Sequence, residues 1–68
     1  MITKEELGRR IAAARKDRNL IQSQLAYRTK MNTAALSHIE SGLCYPSVPS
    51  LIKICAALRL DVRELLKE

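Results

Sequence analysis

The run Gln22-Ser23-Gln24-Leu25-Ala26-Tyr27-Arg28-Thr29-Lys30-Met31-Asn32-Thr33-Ala34-Ala35-Leu36-Ser37-His38-Ile39-Glu40-Ser41-Gly42 reads as two short helices with a break between them. The first, over 22–29, is too short to stand alone in water but long enough for two turns inside a packed domain. Lys30-Met31 make a tight connection, and Asn32 supplies the side-chain acceptor that caps a second helix over 33–41. In that helix Leu36 and Ile39 fall on one side, Gly42 closes the end, and Thr33, Ala34, Ser37 and His38 lie on the other side. The spacing predicts a rod with an apolar underside and an outer face of short polar and methyl-bearing side chains.

Upstream, Thr3 and Glu6 have the spacing of a capping box, and Leu7, Ile11 and Ala14 recur at helical intervals, which predicts a helix over about 4–18. Asn19 suits the left-handed position that ends it. Downstream of the loop Leu43-Cys44-Tyr45-Pro46, Ser47 can cap a helix over 48–58 whose first turn tolerates Pro49 and whose buried stripe is Leu51, Ile54, Cys55 and Leu58. Asp61 and Glu64 suit the cap and return partner of a last helix over 62–67. The alternation of β-branched and aromatic residues that strands require is absent, so the chain reads as all-α, a compact five-helix domain.

The 68 residues suffice for one core, and no linker, repeat or biased tract divides them, so a single domain over 1–68 is expected. A domain this small hides little surface and often gains stability from a second subunit. Twelve Lys and Arg against seven Asp and Glu give a net charge of +5, which favours polyanionic partners. No apolar run approaches the ~18 residues that span a bilayer, and acids stand early where a signal peptide needs an apolar stretch, so no membrane partner is expected and a cytoplasmic location is. Two cysteines and one histidine at no metal-ligand spacing predict reduced thiols, no metal and no cofactor. With no Gly-rich phosphate loop, paired-carboxylate motif or Cys–His grouping, the chain does not read as an enzyme.

Two short helices joined by a tight turn form the helix-turn-helix arrangement, in which the second helix enters the major groove of DNA. Thr33 and Ala34 offer methyl groups to the thymine methyl, Ser37 can donate or accept, and His38 can reach a base acceptor, so these four are the candidates for base readout. Spacing and charge alone leave a second reading open, a small helical bundle whose charges only solvate it.

The ordered set Gln22-Ser23-Gln24-Leu25-Ala26, Met31-Asn32, Leu36-Ser37-His38-Ile39-Glu40-Ser41-Gly42, Pro46-Ser47 and then Leu51, Ile54, Ala57 and Leu58 resembles the phage repressor and Cro-like (XRE-type) helix-turn-helix family over residues 7–66. The resemblance implies a lambda-repressor-like fold, a helix-turn-helix over about 22–41 and duplex DNA as partner. Its short members include repressors, restriction-modification controller proteins and antitoxins. It further implies phosphate contacts from Gln22, Asn32 and Ser41, with Arg28 and Lys30 flanking, and a structural ion pair between Arg15 and Glu40. Tyr45 either bonds a phosphate through its hydroxyl or props Pro46.

Three positions depart from the family pattern. Ile21 stands where a Ser or Thr cap is usual, leaving Asn19 and Gln22 to compensate. Lys30 replaces the turn glycine, which strains the turn or reshapes it. Leu43-Cys44-Tyr45 puts an apolar tip where relatives often carry basic residues. The function expected is a sequence-specific regulator of transcription, binding a palindromic operator as a homodimer through Leu60, Val62, Leu65 and Leu66. The alternative is an antitoxin-type interaction module that also binds its own promoter. The first reading leaves open a contact with a polymerase subunit, and the second implies a toxin as partner, taken by the Leu43–Tyr45 loop or the last helix.

Overall fold

The computed structural model describes every residue from Met1 to Glu68 and contains five helices: α1 (Lys4–Asp17), α2 (Gln22–Thr29), α3 (Thr33–Glu40), α4 (Val48–Leu58) and α5 (Val62–Leu66). Each expected helix is present, and the ends of α1, α3 and α5 fall one residue short of the expected ones because Arg18, Ser41 and Lys67 are caps. No helix is long and apolar enough to cross a membrane.

Side chains start four of the helices as their chemistry predicts. Thr3 accepts from the Glu6 amide, Asn32 from Ala35, Ser47 from Ser50 and Asp61 from Arg63, each satisfying a donor that the helix cannot. The reciprocal halves of the two expected capping boxes are missing. The Glu6 carboxylate turns to Arg9 and Arg10 instead, and Asp61 is gripped by the Arg63 side chain with no return bond from Glu64. At α2, where Ile21 has no acceptor, Gln24 Oε1 takes the Ile21 amide at 2.9 Å, so the compensation comes from Gln24 and not from Asn19 or Gln22.

The first four helices all stop in the same way. A residue with left-handed backbone follows each one, namely Asn19, Lys30, Gly42 and Arg59, and the next amide reaches back five residues: Leu20 to Arg15, Met31 to Ala26, Leu43 to His38 and Leu60 to Cys55. This is the Schellman closure, and an apolar residue follows the left-handed one every time, as the motif favours. Leu20 is buried, Met31 and Leu60 half-buried, and Leu43 alone is left exposed. Lys30 adopts φ 57° and ψ 33°, so the turn between α2 and α3 keeps its glycine-like shape at the cost of backbone strain of about 1 kcal/mol.

Ile11, Leu25, Leu36, Ile54 and Leu58 are the fully buried centre, with Ile2, Leu7, Leu20, Ala26, Ile39, Cys55 and Leu65 around them. Two positions expected at a dimer interface belong to this interior: Leu65 is 3% exposed and Leu60 packs against the core. A five-residue helix cannot cover the open end of the bundle without sinking one of its two leucines, whose burial stabilises by about 1.5–3 kcal/mol. Val62 and Leu66 stay on the surface. Arg10 fastens α5 to α1 by donating to the carbonyls of Leu65 and Lys67.

Candidate nucleic-acid interface

Leu36 and Ile39 hold α3 down on the core, which leaves Thr33, Ala34 and His38 exposed and Ser37 half-buried. All four expected readout residues therefore lie on accessible surface, while Ala35 is half-buried at the flank. The only acid on α3 is Glu40, and it is withdrawn from the surface into a bonded network. Arg15 donates to it through Nε at 2.8 Å and Nη2 at 3.0 Å, and its remaining Nη1 donates to the Leu20 carbonyl at 2.7 Å. The outer face of α3 consequently presents no carboxylate to a phosphate backbone.

Gln22 enters the same network, donating from Nε2 to Glu40 Oε1 at 3.0 Å. One amide hydrogen is thereby committed, and the second, with the amide oxygen, is left for a further partner. The start of α2 is thus tied to the end of α3 through one carboxylate, which itself is tied to α1. No buried side-chain nitrogen or oxygen in the protein lacks a hydrogen-bond partner.

A close approach that the sequence reading did not include sets the spacing of α1 against α3. A Cβ on Gly8 would stand 2.5 Å from the Ile39 carbonyl oxygen and 2.6 Å from that of Glu40, so only glycine lets the two backbones meet here. The clue was available as a glycine inside a helical pattern, which signals close backbone packing.

The expected phosphate contacts divide. Asn32 and Lys30 are exposed beside the start of α3, and Ser41 is exposed at its end with its hydroxyl donating to the His38 carbonyl at 3.2 Å. Tyr45 is corrected: its one proton is donated to the Ile2 carbonyl at 2.6 Å, so the ring braces the loop against the N-terminal segment and offers no free donor. Arg28 is exposed, but it lines a cleft formed with the ends of α1 and α4, to which α3 contributes nothing. Among the chain's groups of His, Cys, Asp and Glu, none could hold a metal ion.

Two helices at this spacing, with an anchored second helix and an open outer face, define a helix-turn-helix domain. The family model of that description matches residues 6–67, and the chain belongs to the helix-turn-helix family. Its sequence is similar to the immunity repressor protein of Bacillus phage phi105, 36% identical over 62 residues that make up 91% of this chain and 43% of the repressor. The chain thus spans less than half of that curated relative. The fold superimposes on the restriction-modification controller protein C.AhdI from Aeromonas hydrophila with a TM-score of 0.88 at 26% identity, covering 91% of this chain and 94% of that one. It also superimposes on the Bacillus subtilis biofilm regulator SinR in complex with DNA, with a TM-score of 0.85 at 35% identity over 90% and 98% of the two chains.

Proposed function

We propose that this protein is a sequence-specific regulator of transcription that binds duplex DNA as a homodimer on a palindromic site. The observation that carries the reading is the outer face of α3, where Thr33, Ala34, Ser37 and His38 are accessible while Leu36 and Ile39 fix the helix beneath them. Methyl groups, a hydroxyl and an imidazole suit thymine methyls and base-edge acceptors in the major groove. Gln22, Lys30 and Asn32 border that face and serve as backbone contacts that set register, and Ser41 joins them only by giving up its hydroxyl bond to the His38 carbonyl. SinR, alike in fold over nearly its whole compared chain, is a regulator solved in complex with DNA, which supports duplex DNA as the partner here.

One recognition helix reads few base pairs, so two copies on half-sites about 34 Å apart are required for useful specificity. With Leu60 and Leu65 assigned to the core, Val62 and Leu66 are the apolar residues of the C-terminal region that a second copy can cover. Replacing Leu66 with Glu should yield monomers by sedimentation equilibrium, whereas a dimer that survives L66E and is lost in I52E places the interface on exposed Ile52 of α4.

Selection of bound fragments from a random duplex pool tests readout and symmetry together. A palindromic consensus is expected, with a preference of ~10³-fold or more over unrelated duplex. Ser37→Ala and His38→Ala should alter the preferred bases and leave salt-sensitive weak binding intact. Equal affinity for all sequences with one steep salt slope would refute base readout.

A further inference from the structure

The chain has a single histidine, and it stands on the outer face of α3. His38 is exposed, and no carboxylate of the protein pairs with its imidazole. Its carbonyl accepts the Leu43 amide at 3.0 Å and the Ser41 hydroxyl at 3.2 Å, which anchors the backbone from which the ring projects. The rest of the face is uncharged. Thr33, Ala34 and Ser37 carry no charge, and Glu40, the one acid of α3, is closed off by Arg15 and Gln22. The readout face is therefore neutral or singly positive according to the state of His38, the side-chain type whose charge changes between about pH 5 and 8.

The helices packed on α3 are α1 and α2. The side of α1 turned toward it runs through Glu5, Gly8 and Arg15, where Glu5 lies against Gly42, past the end of α3, and Arg15 is spent on Glu40. From α2, Gln22 comes uncharged and Arg28 lines the cleft with α1 and α4, and Lys30 is exposed in the turn before α3. In the loop that follows, Cys44 is exposed and the Tyr45 phenol is bonded to Ile2. None of these groups is bonded to the imidazole, so its proton is left for the DNA to hold.

A neutral imidazole presents one donor and one acceptor, and the cation presents two donors. Along the major groove guanine offers two acceptors, N7 and O6, whereas adenine sets a donor beside its acceptor and cytosine shows only a donor. The cation therefore suits guanine and is opposed by the amino groups of adenine and cytosine. Nearby phosphates favour the charged ring further.

We propose that His38 is a proton-dependent specificity residue: charged, it selects guanine at one position of each half-site, and neutral, it loses that selection. The proposal rests on base readout by α3. Because DNA holds the charged ring more tightly, the contribution is complete in acid and is lost as pH rises through the value the ring takes in the complex.

The test selects bound fragments from a random duplex pool at about pH 5.5 and about pH 8, either side of the histidine range. One base pair per half-site should be G·C in acid and unconstrained at the higher pH, with the remaining consensus unchanged. On the acid-selected duplex, affinity should fall about tenfold per His38 between the two conditions, the worth of one charge-assisted hydrogen bond, and should hardly change on the same duplex with that pair made A·T. His38→Gln cannot titrate and should bind equally in both conditions, and since the ring is exposed its thermal midpoint should match wild type. One consensus at both pH values, with unchanged affinity, would overturn the proposal and leave readout by α3 standing. No consensus at either pH would remove both. A pH dependence equal on every duplex would make the imidazole a phosphate contact, and one that survives H38Q would assign the proton to another group; each overturns the proposal.

Discussion

Arg15 and Arg63 each grip a carboxylate through two guanidinium nitrogens, yet Arg15 reaches 25 residues along the chain to Glu40 in the interior, whereas Arg63 folds back two residues to Asp61 in solvent. Side-chain exposures are 9% and 5% for the first pair, 87% and 44% for the second. The bonds are of similar length, so contact geometry does not rank them. Environment does: desolvated partners cannot fall back on water, and exposed ones can.

The largest expected effect follows from that. Arg15→Ala leaves Glu40 buried with only Gln22 as donor and should lower stability by about 3–5 kcal/mol, read from the midpoint of urea unfolding. In a domain of this size such a loss takes most of the folded population. If R15A unfolds like R63A, burial has no bearing on the pair. Next comes Gly8→Ala, which forces α1 away from the carbonyls of Ile39 and Glu40 and should cost about 1–3 kcal/mol by overpacking. Because the same separation stretches the Arg15–Glu40 bonds, G8A and R15A should combine to less than the sum of their separate effects.

Much of this architecture was legible beforehand, and the failures have identifiable causes. Caps depend on one side chain and the nearest amides, which is why Asn32, Ser47 and Asp61 could be placed from sequence. The left-handed closures are equally local, yet Arg59 was not marked because arginine carries no backbone preference for that conformation. The orientation of α5 was out of reach: five residues are too few for periodicity to separate buried Leu65 from exposed Val62 and Leu66. Gly8 and Tyr45 were missed or left open because their partners, Ile39, Glu40 and Ile2, lie far away in the chain. On the outer face of α3, Thr33, Ala34, Ser37 and His38 are accessible as expected since helical spacing from Leu36 and Ile39 suffices to place them, whereas the place of Arg28 requires knowing how α4 returns past α2.

Smaller effects separate the two ion pairs under changed solvent. In 1 M salt, where charges are screened over ~3 Å, the difference between wild type and R63A in thermal unfolding should vanish while the R15A deficit persists. Acid gives the finest distinction. Hydrogen bonding from Arg63, from its side chain and then its backbone amide, depresses Asp61 from its ordinary 3.8 to about 2. A depressed folded value means that ionised Asp61 contributes fully above about pH 4 and that the contribution is lost as pH falls through about 2. Asp61→Asn keeps a competent cap but no charge, so its small deficit should be constant at neutral pH and close between pH 4 and 2. A gap that stays open in acid would show that the cap bond, and not the ion pair, accounts for it.

The hydroxyl of Tyr45 meets the carbonyl of Ile2, whose own side chain is sunk in the core. The loop leaving α3 is therefore moored to the stretch just ahead of α1. Shortening the chain past Ile2, or fusing a tag that tugs that residue outward, should slacken the loop and at the same time withdraw a side chain from the core beneath the helices.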